Sequence, residues 1–255
     1  MSGLLKRPVL MWSLVTLALA AVILIPILTI ANCGGGNEAR KLLDEASNAA
    51  PTMNSYHMTV SSYGQNEEFG KVKAEELSAD IDGENLRIKD TVFDQTGQLQ
   101  ASQEIIKVGD KQYDKDVGSG AWSVGDATIN QGDLLAYTNN ISDFLKQSGS
   151  GKVLGEEEVN GVFAKHLVFT LTSQQVSNLA GGSDSQDSAS QSTSTNFNFN
   201  EGGQVDIWID TSTFFPARYE MVFKHIWVSQ ESYADVQYVV EITRVNEPLD
   251  IVAPI

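Results

Sequence analysis

Most of the chain alternates between apolar and polar residues with a period of two, which is the pattern of β-strands that bury one face. In the first such run, Tyr56, Met58 and Val60 alternate with polar neighbours. The other runs predicted as strands lie at 71–80, 85–89, 99–108 and 111–113, around Trp122, and at 152–158, 162–171, 205–210, 218–224 and 236–243. The pattern predicts about ten strands in one antiparallel sheet with a single buried face.

Three segments have helical spacing instead. Apolar residues recur every three or four positions in 37–50, which ends before Pro51, and in 133–146, which a Ser-Gly repeat follows. The segment 173–180 is predicted to form one or two helical turns. Because strands are many and helices few, the expected fold class is α+β, built on one large curved antiparallel sheet.

The first 36 residues predict export from the cytoplasm. Lys6 and Arg7 precede the uncharged, mostly apolar run 9–31, and Cys33 follows it directly. This arrangement resembles a bacterial lipoprotein signal, in which the peptide is cut before Cys33 and that residue is acylated. The alternative is an uncleaved transmembrane anchor, because the run is long enough to span a bilayer. Both interpretations place the following residues on the outer face of the bacterial cytoplasmic membrane.

Charge and composition exclude several classes of protein. The 17 Lys and Arg residues face 33 Asp and Glu residues, so the net charge is −16 and no binding to nucleic acid is expected. A single cysteine excludes a disulfide framework and a multi-cysteine metal site. The apolar content of 42% is enough to form a core. The segment 183–195 is rich in Ser and polar residues, and it is predicted to be a flexible loop.

No motif with catalytic or metal-binding spacing is present. His57, His166 and His225 are far apart in the sequence and belong to no HExxH or HxH motif. The segment 149–152 reads Gly-Ser-Gly-Lys, but Val153 follows where a phosphate-binding loop requires Ser or Thr. The chain also has no GxSxG motif. We therefore expect no enzymatic activity, no cofactor and no metal.

One strand carries two carboxylates on the same face. Asp206 and Asp210 flank Trp208 in the run 205–210. This arrangement is compatible with a carboxylate pair or with calcium ligands. Solvated charges on an outward-facing side are the more common arrangement, and we interpret these residues in that way.

The apolar faces leave two possibilities open. The helices and the sheet either pack together as a solid core or enclose an apolar cavity of the kind that binds lipids and other apolar ligands. The same residues would form the surface of the sheet in both cases. The alternation alone does not distinguish a core from a cavity.

Several short motifs resemble a known family. They are the lipoprotein signal, the helix ending near Pro51, Trp122, the segment 155–161, the runs 205–210 and 215–218, and the segment 245–248 followed by Pro254. In this order they resemble the LppX/LprAFG lipoproteins, which are similar in fold to the carriers LolA and LolB. The resemblance implies a half-barrel sheet closed by helices around an apolar cavity, and the binding or transport of lipids or lipidated molecules.

These observations define the expected organisation of the chain. Residues 1–32 are the signal peptide or anchor, residues 33–37 carry the lipidated Cys33 and a glycine tether, and residues 38–255 form one domain. The expected partners are a lipid or lipidated ligand, the cytoplasmic membrane and an envelope transporter, and the protein is expected to be a monomer. The alternative function is a sensor, regulatory or adhesive lipoprotein with a filled core that acts through protein partners.

The cavity is predicted from the more apolar face of each strand and from the helix 133–146 as its roof. Its predicted residues are Tyr56, Met58, Val60, Leu167, Phe169, Leu171, Ile207, Ile209, Tyr219, Met221 and Phe223 on the sheet, and Leu134, Leu135, Ile141 and Leu145 on the roof.

Overall fold

Eleven strands form one antiparallel sheet in the computed structural model of the chain. The structure describes residues 37–66, 70–129, 142, 145–146, 151–179, 201–229 and 232–255. The strands are β1 (Ser55–Asn66), β2 (Gly70–Asp82), β3 (Asn85–Phe93), β4 (Leu99–Val108), β5 (Lys111–Lys115), β6 (Trp122–Asp126), β7 (Gly151–Val159), β8 (Val162–Leu171), β9 (Gly203–Asp210), β10 (Pro216–Ser229) and β11 (Ser232–Thr243). The two α-helices are α1 (Asn37–Ala49) and α2 (Ser173–Leu179), and a 3₁₀ turn (Ala50–Thr52) follows α1.

The order of the strands is β6-β5-β4-β3-β2-β1-β11-β10-β9-β8-β7. Strands that are neighbours in the sheet are also consecutive in sequence, with one exception: β1 pairs with β11, from His57 opposite Thr243 to Gln65 opposite Asp235. The chain therefore builds two groups of strands, β1–β6 and β7–β11, and this pair joins them. The short strand β6 and the strand β7 form the two edges of the sheet.

Helix α1 follows the predicted helical pattern. Ala39, Leu42, Leu43 and Ala46 share one face and are buried against the sheet, while charged residues occupy the other face. The regular helix ends at Ala49, one residue earlier than predicted, because the following residues around Pro51 tighten into the 3₁₀ turn.

Helix α2 begins with a capping box. The backbone N–H of Thr172 donates to Gln175 Oε1 (2.8 Å), and the backbone N–H of Gln175 donates to Thr172 Oγ1 (3.3 Å). Val176 of this helix is buried in the same core as α1. Both described helices thus pack on one side of the sheet. We call that side the inner face, and it carries Tyr56, Met58 and Ile207.

The expected α+β class with a large antiparallel sheet is confirmed. The strand 99–108 has the predicted bounds, and so does 162–171, whose hairpin turns at Asn160 and Gly161 with positive φ at both residues. The largest extension is β10, which continues to Ser229, because the alternation breaks at the register shift between Phe223 and Ile226.

Some predictions concern residues that the structure does not describe. The signal or anchor at 1–32, Cys33 and the loop 183–195 lie outside the described residues. Most of the predicted helix 133–146 lies outside them too, although Ser142, Leu145 and Lys146 are described and helical. Within the described ranges, no helix has the length and apolar character needed to cross a bilayer.

The segment that follows β11 packs on the opposite side of the sheet, which we call the outer face. Leu249 and Ile251 are buried against Ile106 of β4, with Tyr113 and Trp122 packed around them. Ile106 lies on the outer face because its neighbour Ile105 is paired with the inner-face residue Ile88.

Three hydrogen bonds attach the start of this segment to the beginning of β1. The backbone N–H of Asn246 donates to Ser55 O (2.7 Å), Ser55 Oγ donates to Glu247 O (2.6 Å), and the backbone N–H of Asn54 donates to Asn246 Oδ1 (2.9 Å). The segment is therefore directed across the outer face from a fixed starting point.

We expect Leu249→Ala to lower the free energy of unfolding by about 2 kcal/mol, because the side chain is buried in a small apolar cluster. Val252→Ala is the matched control, since Val252 is 55% exposed, and it should change stability by less than about 0.5 kcal/mol. Urea unfolding measured by circular dichroism tests both variants. Equal effects of the two substitutions would contradict a packing role for this segment.

Candidate functional site

The inner face has an apolar half that spans β8, β9, β10, β11 and β1. Strand register aligns residues in rows across it, and one row contains Leu167, Ile207, Tyr219, Val240 and Val60. Because side chains opposite one another on paired strands point to the same side, each row forms a continuous apolar band. Several such bands give the sheet a wide apolar surface.

Helix α1 lies close against this apolar half. At Gly151 a Cβ atom would lie 2.4 Å from Phe169 Cε1 and 2.9 Å from Ala39 Cβ. Such distances are far below van der Waals contact, so only glycine permits α1 to approach the start of β7 and the end of β8.

The structure brings the described members of the predicted cavity together in one cluster. Eleven of them are exposed by 4% or less, and Val60 is partly buried at the margin of the cluster. The eleven are Tyr56, Met58, Leu145, Leu167, Phe169, Leu171, Ile207, Ile209, Tyr219, Met221 and Phe223. Leu134, Leu135 and Ile141 lie outside the described residues. That these residues bind a ligand stays a prediction.

Polar contacts connect the helical residues Ser142 and Lys146 to the sheet and to α1. The fully buried Tyr219 hydroxyl is hydrogen-bonded to Ser142, and burial raises the pKa of Tyr219 to about 12. Lys146 Nζ lies 3.3 Å from Asp44 Oδ1 of α1. Leu145, between these contacts, is buried in the main core. One buried hydrogen bond and one surface ion pair thus flank the apolar contact.

On β2, β3 and β4 the inner face changes from apolar to mixed, because polar side chains lie beside core residues such as Ala79, Leu86 and Ile88. Glu75, Asp90 and Gln103 occupy inner-face positions where β8 to β11 carry apolar residues, and the first two are half-buried. Sequence reasoning missed this change, although the alternation contains the signal: Glu75 lies two residues before Leu77 and four before Ala79, so it shares their face.

Glu75 and Asp90 lie close enough for their carboxyl groups to share a hydrogen bond. Burial is the largest influence on Asp90 and raises the pKa of its carboxyl, and the bond to Glu75 opposes this only in part. Asp90 Oδ1 is buried and accepts no hydrogen bond in the described part of the protein.

A second polar group lies on the outer face of β8, β9 and β10. The His166 ring stacks on Trp208 with centroids 4.3 Å apart, and the Arg218 guanidinium lies 5.2 Å from the centre of the Trp208 ring. His166 Nε2 is 2.8 Å from Asp206 Oδ1, and Trp208 Nε1 donates to Glu157 Oε1 (2.6 Å).

The position of Asp206 therefore corrects the interpretation that Asp206 and Asp210 are both solvated charges. It faces outward as expected, but it is only 8% exposed and is not a solvated charge, because His166 and Gln204 cover it. Asp210 uses its carboxylate to accept bonds from Ser212 and Thr213 in the turn after β9. Among the described residues, no three His, Cys, Asp or Glu side chains are placed to hold a metal ion.

Solved structures of other proteins resemble this architecture. LprF from Mycobacterium bovis superposes with a TM-score of 0.50 at 15% identity, covering 87% of this chain and 99% of LprF. The chain shares the fold of LprF. Lipoprotein LppX from Mycobacterium tuberculosis gives a TM-score of 0.47 at 13% identity, covering 84% of this chain and 99% of LppX.

A LolA superfamily protein from Nitrosomonas europaea gives a TM-score of 0.27 at 11% identity, with 83% of this chain and 94% of that protein covered. No protein-family model matches the sequence, and no curated protein matches it in sequence. The likeness to LprF is thus one of fold.

We expect the stability contributed by Tyr219 to depend on alkaline pH. The unfolded state releases the phenol proton near pH 10, whereas the folded state holds it to about pH 12. Stability from this group is complete below pH 10 and is lost as the pH rises through 12, by roughly 2–3 kcal/mol.

The measurement compares urea unfolding of the wild type and Tyr219→Phe from pH 9 to pH 12. The variant, which has no phenol proton at this position, should lose less stability over this range. Tyr63→Phe, on the outer face, should behave as the wild type. An identical loss in wild type and Tyr219→Phe would show that Tyr219 is not buried in this way.

Proposed function

We propose that the protein is a membrane-anchored envelope lipoprotein that binds or carries lipids or lipidated molecules between the inner face of the sheet and its helices. It performs no covalent chemistry on them. The observation that carries this proposal is the apolar half of the inner face, which extends across five strands and is covered by α1. The fold shared with LprF is consistent with the proposal.

The energetics of an acyl chain support this function. Burial of one methylene group gains about 0.8 kcal/mol, so twelve methylenes gain about 10 kcal/mol. Association costs on the order of 4–15 kcal/mol. An apolar chain of that length therefore compensates most of this cost without a charged anchor. Met58 and Met221 provide adaptable side chains on the apolar half, which suits ligands of variable shape.

The membrane attachment proposed here depends on Cys33. Its position directly after the apolar run and before three glycines supports acylation on the outer face of the cytoplasmic membrane. The acidic body, with few cations, is compatible with an exported and soluble domain at residues 38–255. In this proposal a monomer exchanges its ligand with the membrane or with an envelope transporter.

One observation favours a second candidate function. The described residues of the predicted cavity are almost completely buried and pack in one cluster with α1. A core filled in this way suits a sensor, regulatory or adhesive lipoprotein that acts through protein partners. The two candidates differ in whether the core of the native protein contains lipid.

We expect native mass spectrometry of the purified full chain, followed by lipid extraction, to detect a bound lipid. Met221→Trp should reduce the bound fraction at least about tenfold, because the larger side chain fills space on the apolar half. Val239→Trp is the matched control, since Val239 pairs with Ser61 on the outer face and is half-buried.

Circular dichroism and thermal unfolding establish that both variants fold before their lipid content is compared. A wild type that is always empty would favour the second candidate. Equal lipid loss in both Trp variants would exclude the apolar half as the binding surface.

We expect Cys33→Ala to abolish cleavage and acylation of the precursor. Intact mass measurement of the wild type should give a chain that begins at Cys33 and carries added acyl mass, whereas the variant should begin at Met1 without it. Ser2→Ala is a control within the same leader and should be processed normally. A wild-type mass that begins at Met1 would favour the transmembrane anchor.

A further inference from the structure

The hairpin formed by β10 and β11 extends beyond the rest of the sheet. The last residue of β10 that pairs with β9 is Phe223, and the first residue of β11 that pairs with β1 is Asp235. Beyond these two residues, the strands pair only with each other in the described sheet. We call the segments 226–229 and 232–234 the arm. A two-stranded hairpin by itself is only marginally stable in water, so contact with a further surface would stabilise the arm.

The sequence of the arm indicates an apolar surface. Ile226, Trp227 and Val228 are consecutive, and neighbouring residues of a strand belong to opposite faces. The run therefore places apolar residues on both faces of the arm, whereas a strand with one solvated face alternates apolar and polar residues. Trp is enriched where a bilayer meets water, because its ring is apolar and its N–H is polar. This composition is typical of a segment that contacts a lipid surface.

A half-open cleft lies at the base of the arm on the outer face of the sheet. Its volume is about 200 Å³, and residues from β1, β2, β10 and β11 line it. They include Tyr63, Gln65, Lys71, Val222, Lys224 and Asp235. The last two lie next to the arm in the sequence, so the cleft and the arm form one continuous surface.

Lysines give this cleft its chemical character. Lys71 Nζ lies 4.7 Å from the centre of the Tyr63 ring, and Lys73 Nζ lies 5.7 Å from it. Lys73 and Lys224 each contact one carboxylate, whereas Lys71 has no carboxylate partner in the part of the chain that the structure describes. An ammonium group without such a partner is available to an anionic group such as a lipid phosphate.

Acidic residues limit the contribution of charge at this end of the sheet. Glu67, Glu68 and Glu231 occur in the two short connections there and lie outside the described residues. The apolar run of the arm is therefore the larger expected contribution to a membrane contact, and the lysines add to it where the lipids are anionic.

The membrane anchor of the chain leads to the same end of the sheet. A Cβ atom at Gly151 would lie 2.9 Å from Ala39 Cβ, so the beginning of α1 is next to the first residue of β7. Gly151 pairs with Phe169 of β8, and the register across β9 aligns Phe169 with Met221 of β10. The beginning of α1 is thus level with Met221, and from there β10 continues into the arm.

The link between the anchor and α1 is shorter than this continuation of β10. Cys33 precedes Asn37 by four residues, which span at most about 14 Å. The eight residues that follow Met221 up to Ser229 span about 26 Å. With this end directed at the membrane, the arm reaches the bilayer before the link is fully extended. Lys224 is about 10 Å beyond Met221, which is within the distance that the link permits.

We propose that the arm and the lysine-lined cleft form the surface by which the domain contacts the membrane that anchors it. The partner is a bilayer that contains anionic lipids. The run 226–228 enters its interface, and a lipid phosphate contacts the cleft through Lys71 and Lys224. This inference rests on the proposed attachment at Cys33, and it goes beyond the attachment by assigning an orientation to the domain.

The test measures the contact of Trp227 with lipid chains. The full chain is placed in nanodiscs of phosphatidylcholine with about 30% phosphatidylglycerol, an anionic lipid. The discs are made with and without brominated phosphatidylcholine, which quenches the fluorescence of nearby Trp residues. The emission of Trp227 is the difference between the wild type and Trp227→Phe. The emission of Trp122, on the edge strand β6, is obtained from Trp122→Phe in the same way.

We expect brominated lipid to reduce the Trp227 emission at least about threefold and to leave the Trp122 emission unchanged. Ile226→Ser/Val228→Ser should restore most of the Trp227 emission, because it removes apolar surface from the arm. Val124→Ser/Ile255→Ser is the matched control, since these residues are 56% and 70% exposed outside the arm. It should preserve the quenching. Circular dichroism establishes that each variant is folded.

The lysines are tested separately. Lys71→Gln/Lys224→Gln should weaken the contact about fivefold per lysine in the anionic discs, and this should reduce the quenching of Trp227. In discs of phosphatidylcholine alone the two substitutions should have no effect. An equal effect in both kinds of disc would overturn the role of the cleft in binding anionic head groups.

The outcomes separate this inference from the attachment on which it rests. If the full chain does not remain with the nanodiscs, the attachment fails and the inference fails with it. If the chain remains and Trp227 is not quenched, the attachment stands and the arm does not contact the membrane. Quenching that is the same in the wild type and in Ile226→Ser/Val228→Ser would come from lipid bound elsewhere in the protein, and it would also overturn the inference.

Discussion

The pairing of β1 with β11 is the contact on which the rest of the structure depends. It joins strands from opposite ends of the described chain, and without it the sheet would consist of two separate groups of strands. The apolar half of the inner face crosses this junction, since β1 contributes Tyr56 and Met58 beside Val240 and Ile242 of β11. The same junction places the start of the C-terminal segment beside Ser55. The core, the site and the outer cluster therefore share one long-range constraint.

Local structure was predictable because its signals are local. The run 162–171 alternates without interruption and follows Asn160-Gly161, so both its bounds and its hairpin agree with the structure. The helix that begins at Asn37 was predictable for the same reason. The order of the strands in the sheet was not predictable. Period-two alternation indicates which side of a strand is buried, but it does not indicate which strand lies beside it.

In the candidate site, too, local features were predictable from the sequence and long-range contacts were not. The apolar face of each strand was predicted, and its described members meet in one cluster. The interaction of Glu75 with Asp90 was not predicted, because an isolated acidic residue in a strand pattern normally indicates a surface position. Only the pairing of β2 with β3 brings the two side chains together. Asp206 is a further case, since its burial depends on His166 from β8 and on Gln204 from its own strand.

The C-terminal segment has a consequence for the time course of folding. Leu249 and Ile251 cover Ile106, although β4 is made more than a hundred residues earlier. A chain threaded through a membrane from its N-terminus would release this segment only after all eleven strands. Until then β1 has no partner on one side and the apolar surface of β4 is open to water, which is a state prone to aggregation. The native sheet is thus completed late, when the last part of the chain covers an edge of β1 and an apolar surface of β4.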